Sequence, residues 1–251
     1  METIFKGKVA IVTGGTSGIG KATAIAFAEK GATVVIVDWI ENEETLNLIK
    51  ASGGEAIFVK CDVSKAIEVK AMVDKTIAAF GRIDYAFNNA GIEGTNAKTA
   101  DCTEENWDKT IGVNLKGIWL CMKYEIPEIL KQGKGVIINC ASVAGLIGFG
   151  GLPAYVASKH GIIGLTKTTA LEYAKQGLRV NAVCPGVIQT PMIDRITGKI
   201  KETIEEFKGL EPIGRFGLPE EIANAVLWMC SDEASFVTGH AMVVDGGFVA
   251  Q

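Results

Sequence analysis

Val9-Ala10-Ile11-Val12-Thr13-Gly14-Gly15-Thr16-Ser17-Gly18-Ile19-Gly20 is the stretch that decides the fold. A short β-branched run breaks into glycines, and the residues from Gly20 to Lys30 then carry helical periodicity. This arrangement receives a phosphate. Gly14 can take backbone shapes closed to other residues. Gly18 lets the main chain approach an anion, and Gly20 lets the helix pack closely on the strand. The helix start offers free N–H groups and the positive end of its dipole. The spacing differs from the commonest G-x-G-x-x-G, but the position, first strand to first helix, is the diagnostic one. Gly14, Thr16, Ser17, Gly18, Ile19 and Gly20 are the expected contacts to a dinucleotide.

Outward from this turn the same rhythm repeats. Apolar runs at Val9–Thr13, Thr33–Val37, Ala56–Lys60, Ile83–Asn88, Gly135–Cys140, Val180–Cys184 and Ala241–Val244 are rich in Val and Ile. They do not alternate with polar residues, as expected of strands covered on both faces. Helical patterns lie between them at Glu43–Ala51, Ala66–Phe80, Thr103–Leu130, Ala154–Lys175 and Pro219–Cys230. The expected fold is a doubly wound α/β, Rossmann-type domain over residues 1–251, with a seven-stranded parallel sheet. One segment breaks the rhythm. Ile193–Leu210 is charged and helical but leads into no strand, so residues 190–212 are expected to form a lid over a site.

The second strand ends in Asp38, followed by Trp39. A carboxylate there accepts hydrogen bonds from ribose hydroxyls and repels a 2′-phosphate. No Arg or Lys lies between Gly14 and Gly20. These features predict NAD in preference to NADP. Cys61-Asp62-Val63 closes the third strand, where a polar side chain can meet the adenine edge.

Tyr155 and Lys159 are four residues apart at the start of a helical stretch, so phenol and ammonium share one face. A fixed positive charge nearby favours a phenolate, and a phenol so poised can exchange a proton with an alcohol or alkoxide. Ser142, just past the fifth strand, can hold the substrate oxygen. Asn114 stands mid-helix among apolar residues, where Asn is disfavoured. A water held by Asn114 could relay protons to Lys159. Asn114, Ser142, Tyr155 and Lys159 are the expected catalytic set.

With Asn88-Asn89-Ala90-Gly91 and Pro185-Gly186, these motifs run along the whole chain, which resembles a compact short-chain dehydrogenase/reductase. The resemblance implies that Asn89, Ala90 and Gly91 stabilise the central sheet and line the nucleotide. It implies that Lys159 also binds the nicotinamide ribose and that Asn114 completes a proton relay. Ile188 and Thr190 would flank the nicotinamide carboxamide, with Pro185, Gly186 and Met192 beside it. It further implies a homotetramer formed through the long central helices and the C-terminal segment.

The candidate pocket residues are Ile92, Ser142, Val143, Leu146, Phe149, Leu152, Tyr155, Ile188 and Met192. None is Arg or Lys, and a buried anion would need a basic partner. The expected substrate is a neutral, largely apolar alcohol, cyclic or aromatic, or a diol, unless Arg195 or Lys199 turns inward. An NADPH-linked 3-oxoacyl carrier-protein reductase, a sugar or polyol dehydrogenase, and a non-catalytic nucleotide sensor are the competing readings.

Bulk properties fit a small-molecule enzyme. Apolar residues make up 48% of the 251 residues, and the net charge is −4. No basic cluster suggests nucleic acid, no run suffices for a membrane span, and Met1–Lys8 does not read as a secretory signal. Six scattered cysteines and two histidines form no metal-binding pattern, so no metal is expected. The cysteines read as buried free thiols in a reducing cytoplasm.

Overall fold

The strands are β1 (Val9–Thr13), β2 (Thr33–Asp38), β3 (Ala56–Lys60), β4 (Tyr85–Asn88), β5 (Gly135–Cys140), β6 (Leu178–Pro185) and β7 (Ala241–Val244). In the computed structural model, which describes residues 3–251, they form one parallel sheet in the order β3-β2-β1-β4-β5-β6-β7. All seven fall where the apolar runs place them. β4 begins later than its run, at Tyr85, β2 extends one residue further, to Asp38, and β6 exceeds its run at both ends, from Leu178 to Pro185.

Among the described residues there are nine α-helices: α1 (Gly18–Glu29), α2 (Glu44–Ala51), α3 (Ala66–Phe80), α4 (Glu104–Ile111), α5 (Gly117–Leu130), α6 (Pro153–Tyr173), α7 (Pro191–Thr197), α8 (Lys201–Gly209) and α9 (Pro219–Cys230). Successive strand residues feed opposite layers. Val9 and Ile11 join the core beneath α3, α5 and α6, with Met72, Ile118 and Ile162. Ala10 and Val12 join the core beneath α1 and α9, with Phe27, Ile222 and Val226. Two buried faces explain why these strands are apolar throughout.

The stretch Thr103–Leu130, expected as one helix, is divided. A π-helical turn over Gly112–Lys116 separates α4 from α5. Such a turn carries one extra residue and occurs often at functional sites. Asn114 lies within it, fully buried. Its Oδ1 accepts from the Ile92 N–H at 2.8 Å, and its Nδ2 donates to the Ile92 carbonyl at 2.9 Å. A mid-helix Asn is tolerated because it clasps the loop after β4.

β1 pairs with β2 on one side and β4 on the other. Chain order reverses at that junction, which opens a crevice outside the carboxyl ends of the strands.

Candidate active site

The crevice is built first from β1 and β4. Thr13 Oγ1 accepts hydrogen bonds from the N–H groups of Asn89 at 2.9 Å and Ala90 at 3.1 Å. Asn89 Nδ2 returns a bond to the Thr13 carbonyl at 3.0 Å. Gly14 has φ +64°, and a Cβ there would lie 2.9 Å from Asn89 Nδ2. Gly20 has no room at all, since its Cβ would fall 2.1 Å from the Gly14 carbonyl oxygen. Ser17 precedes α1 without capping it through its side chain, so the first-turn N–H groups face the crevice unshared. An anion-binding cradle of this kind fits a pyrophosphate.

Asp38 is buried at the end of β2. Its Oδ2 accepts from Thr16 Oγ1 at 2.6 Å, and its Oδ1 from the Ile40 N–H at 3.2 Å. The carboxylate is thereby aimed across the glycine turn, with Trp39 exposed beside it. At the end of β3, Cys61 is buried and burial pushes its thiol up to about 12. Asp62 Oδ1 accepts from the Ser64 N–H and hydroxyl at 2.9 and 2.7 Å. Val63 is buried and would meet a Cβ on Gly117.

The second half of the site comes from β5 and α6. Lys159 is 4% exposed. Its Nζ donates to the Cys140 carbonyl at 2.8 Å and lies 5.4 Å from the Tyr155 ring centroid. An ammonium buried so deeply costs free energy unless paired, and the carbonyl and ring supply the pairing. Ser142 Oγ accepts from the Ala144 N–H at 3.1 Å, which leaves its own hydrogen free to donate. Asn114 Nδ2 reaches Ser158 Oγ at 3.2 Å, tying the π-helical turn to α6. A Cβ on Gly91 would lie 3.3 Å from Asn114 Oδ1 and 3.8 Å from Lys159 Nζ. Gly91 thus lies beside both groups.

The third part follows β6. Pro185 ends the strand, and the Gly186 N–H donates to the Val244 carbonyl at 3.1 Å. Glu211 Oε1 accepts from the Val187 N–H. Ile188 is buried and bridges to Gly217. Thr190 precedes α7, and its Cγ2 sits 3.1 Å from where a Gly18 Cβ would be. The segment after β6 therefore returns to the phosphate turn. Met192 and Ile92 are half-buried, Val143 is buried and Leu146 is exposed. Phe149 and Leu152 are also half-buried. Phe149 stacks on Phe248 of the C-terminal turn, with centroids 5.7 Å apart and planes within 6°. Arg195 does not turn inward; its guanidinium grips Glu93, two residues past Gly91. Lys199 pairs with Asp194 at 3.4 Å.

Glu93, Glu125 and Phe248 escaped the sequence reading, and Thr13 stood in the phosphate-turn motif without a role of its own. Glu125 alone had a local signal. It interrupts the apolar face Ile118, Cys121, Met122, Ile126, Ile129 at helical spacing.

A family model described as enoyl-(acyl carrier protein) reductase matches residues 14–249. The chain is 45% identical over 253 residues to a cyclohexanol dehydrogenase of Acinetobacter sp., covering 100% of this chain and 98% of the relative. It is 44% identical over 245 residues to a 2,5-dichloro-2,5-cyclohexadiene-1,4-diol dehydrogenase of Sphingobium indicum, covering 97% and 98%. The crystal structure of a levodione reductase superposes with a TM-score of 0.93 at 38% identity, covering 98% of this chain and 99% of that one. The chain belongs to the short-chain dehydrogenase/reductase family. That family consists of oxidoreductases that use a nicotinamide cofactor.

Proposed function

We propose that the protein is an NAD-dependent dehydrogenase that interconverts a secondary alcohol and its ketone, with a neutral, largely apolar cyclic alcohol or diol as substrate. The observation that carries this reading is the buried Lys159 ammonium held between the Cys140 carbonyl and the Tyr155 ring. NAD supplies the hydride acceptor when bound, and NADH the donor. The alcohol loses a hydride from carbon and a proton from oxygen, leaving a ketone. Lys159 stabilises the Tyr155 phenolate, which takes that proton and becomes the phenol. Ser142 donates its free hydrogen to the substrate oxygen. A water over Gly91, between Asn114 Oδ1 and Lys159 Nζ, relays the proton onward.

Gly14, Thr16, Ser17, Gly18, Ile19 and Gly20 would hold the pyrophosphate. Asp38 and Trp39 would border the adenosine ribose, and Cys61, Asp62 and Val63 the adenine. Asn89, Ala90, Gly91, Tyr155, Lys159, Pro185, Gly186, Ile188, Thr190 and Met192 would line the nicotinamide half. Asp38 supports NAD, since a 2′-phosphate beside it would meet a carboxylate. Two relatives carry in their names a six-membered ring bearing alcohols, which agrees with the apolar lining. Residues 190–212 would cover the substrate. The opposing reading, an NADPH-linked acyl-carrier reductase, draws support from the description of the family model.

Ile111, Leu115, Trp119 and Leu165 leave an apolar depression open on the α4–α5–α6 face. It supports a homotetramer joined there, in a reducing cytoplasm suited to six free thiols.

The test is a panel of cyclic and acyclic secondary alcohols with NAD and NADP, repeated on Tyr155→Phe. The variant should lose about 10²- to 10⁴-fold in turnover while still binding NADH. Near-normal turnover would remove the acid–base role, and a preference for NADP would remove the ribose argument.

A further inference from the structure

Behind the Lys159 anchor lies a buried polar cluster that the proposed reaction does not use. Glu125 on α5, Asn88 on β4 and Asn139 on β5 are all fully buried, and Thr166 on α6 is nearly so. Asn88 Nδ2 donates to Glu125 Oε2 at 3.1 Å and to Asn139 Oδ1 at 3.3 Å. Asn139 Nδ2 donates to Thr166 Oγ1 at 3.0 Å. Three of the four members connect directly to elements of the site, and Glu125 reaches it through Asn88. Asn88 precedes Asn89, Asn139 precedes the Cys140 carbonyl that holds Lys159, and Thr166 is on the helix of Tyr155 and Lys159.

Two acceptor atoms in this cluster have no hydrogen-bond partner among the described residues: Glu125 Oε1 and Asn88 Oδ1. Orphaned buried acceptors are costly. These two belong to the pair already joined through Oε2 and Nδ2, so one proton between them would satisfy both. We propose that Glu125 is a positioning residue held as a neutral carboxylic acid, its Oε1–H donating to Asn88 Oδ1. The resulting two-bond acid–amide pair locks α5 to the strand end that presents Asn89–Gly91. The role assigned to it in cofactor binding rests on the dehydrogenase reading; the protonation itself does not.

The surroundings agree. Burial raises the Glu125 carboxyl to about 7, opposed only by the Asn88 hydrogen bond. Asn88, Asn139 and Thr166, facing from β4, β5 and α6, are uncharged. The α3 residues packed against α5 include Val69, Met72 and Val73. The nearby titratable groups are Cys121, one turn earlier on α5, and Cys61 beyond it. The burial of Cys121 pushes its thiol well up, so it stays neutral.

Glu125 binds its proton more tightly folded than unfolded. Its contribution is complete below the ordinary value of 4.5 and is lost as pH rises past about 7.

The test combines infrared spectroscopy with NADH titration on the intact protein. At pH about 6 the wild type should show the carbonyl band of a buried protonated carboxyl, fading toward pH about 9. The band should persist in Glu211→Gln, which removes the other carboxyl raised among the described residues, and vanish in Glu125→Gln. The amide of Glu125→Gln can donate to Asn88 Oδ1 at any pH, so this variant should bind NADH as tightly as wild type at pH about 6 and several-fold better at pH about 9. Absence of the band in the wild type and in Glu211→Gln overturns the proposal whether or not Glu125→Gln folds. So does a water bridging Oε1 and Oδ1 in a crystal structure. If the band behaves as expected but no alcohol is oxidised, the dehydrogenase reading fails and the protonated pair stands.

Discussion

Arg195 of α7 holds Glu93 with two hydrogen bonds, Nε to Oε1 at 2.7 Å and Nη2 to Oε2 at 3.1 Å. The two residues are 102 positions apart, on the segments that follow β4 and β6. Arg195 is largely exposed, so the pair adds little to global stability, on the order of 0–1 kcal/mol. Its effect is local. Arg195→Ala should leave the unfolding midpoint almost unchanged and speed NADH release several-fold in stopped-flow fluorescence. An unchanged release rate would mean that α7 is held by other contacts.

Asp38 accepts from Thr16 across the phosphate turn. Asp38→Ser removes the charge that a 2′-phosphate would meet. NADH affinity should fall about 10- to 100-fold, the scale of a lost hydrogen bond to a charged group, while NADPH affinity rises. Parallel titrations of both nucleotides measure the ratio. A ratio that stays fixed would show that Asp38 does not read the ribose.

A Cβ at Gly91 would lie beside Asn114 Oδ1 and Lys159 Nζ. Gly91→Ala should crowd both groups and displace the relaying water. We expect kcat to drop at least tenfold and its pH profile to move, with the fold intact by circular dichroism. A normal profile would place the relay elsewhere.

Asp84 anchors the start of the sheet. It accepts from Arg82 at 2.8 and 2.6 Å, from Lys8 at 3.1 Å and from the Val9 N–H at 3.0 Å. Burial alone would raise its carboxyl, but these donors hold it below the ordinary value of 3.8. The sign is opposite to that of Glu125. The contribution of Asp84 is present above about pH 4 and is lost as pH falls further. Asp84→Ala should cost about 2–3 kcal/mol at neutral pH and flatten the acid limb of a stability-versus-pH curve. Denaturant unfolding at several pH values measures both.

Phe248 stacks on Phe149, a candidate pocket residue. Phe248→Ala should raise KM for cyclic alcohols more than for small acyclic ones and leave NADH binding alone. An equal change for both classes would show that the stack supports the fold and not the pocket.

Much of this protein was legible from local pattern. Strand periodicity, the glycines of the first turn, Asp38 at a strand end and the four-residue spacing of Tyr155 and Lys159 each depend on residues near one another in the chain. Backbone sterics and helix geometry act over that range, so the sequence by itself determined the α/β alternation, the phosphate turn and the shared face of phenol and ammonium. The π-helical turn at Gly112–Lys116 lay beyond such reading, because only the clasp of Asn114 on Ile92 explains it. The strand order that puts β4 beside β1, the Arg195–Glu93 grip, the Phe149–Phe248 stack and the Glu125–Asn88 pair were decided by tertiary structure alone. Each joins residues at least 37 positions apart, and such a contact depends on which elements become neighbours when two apolar layers are buried against one sheet.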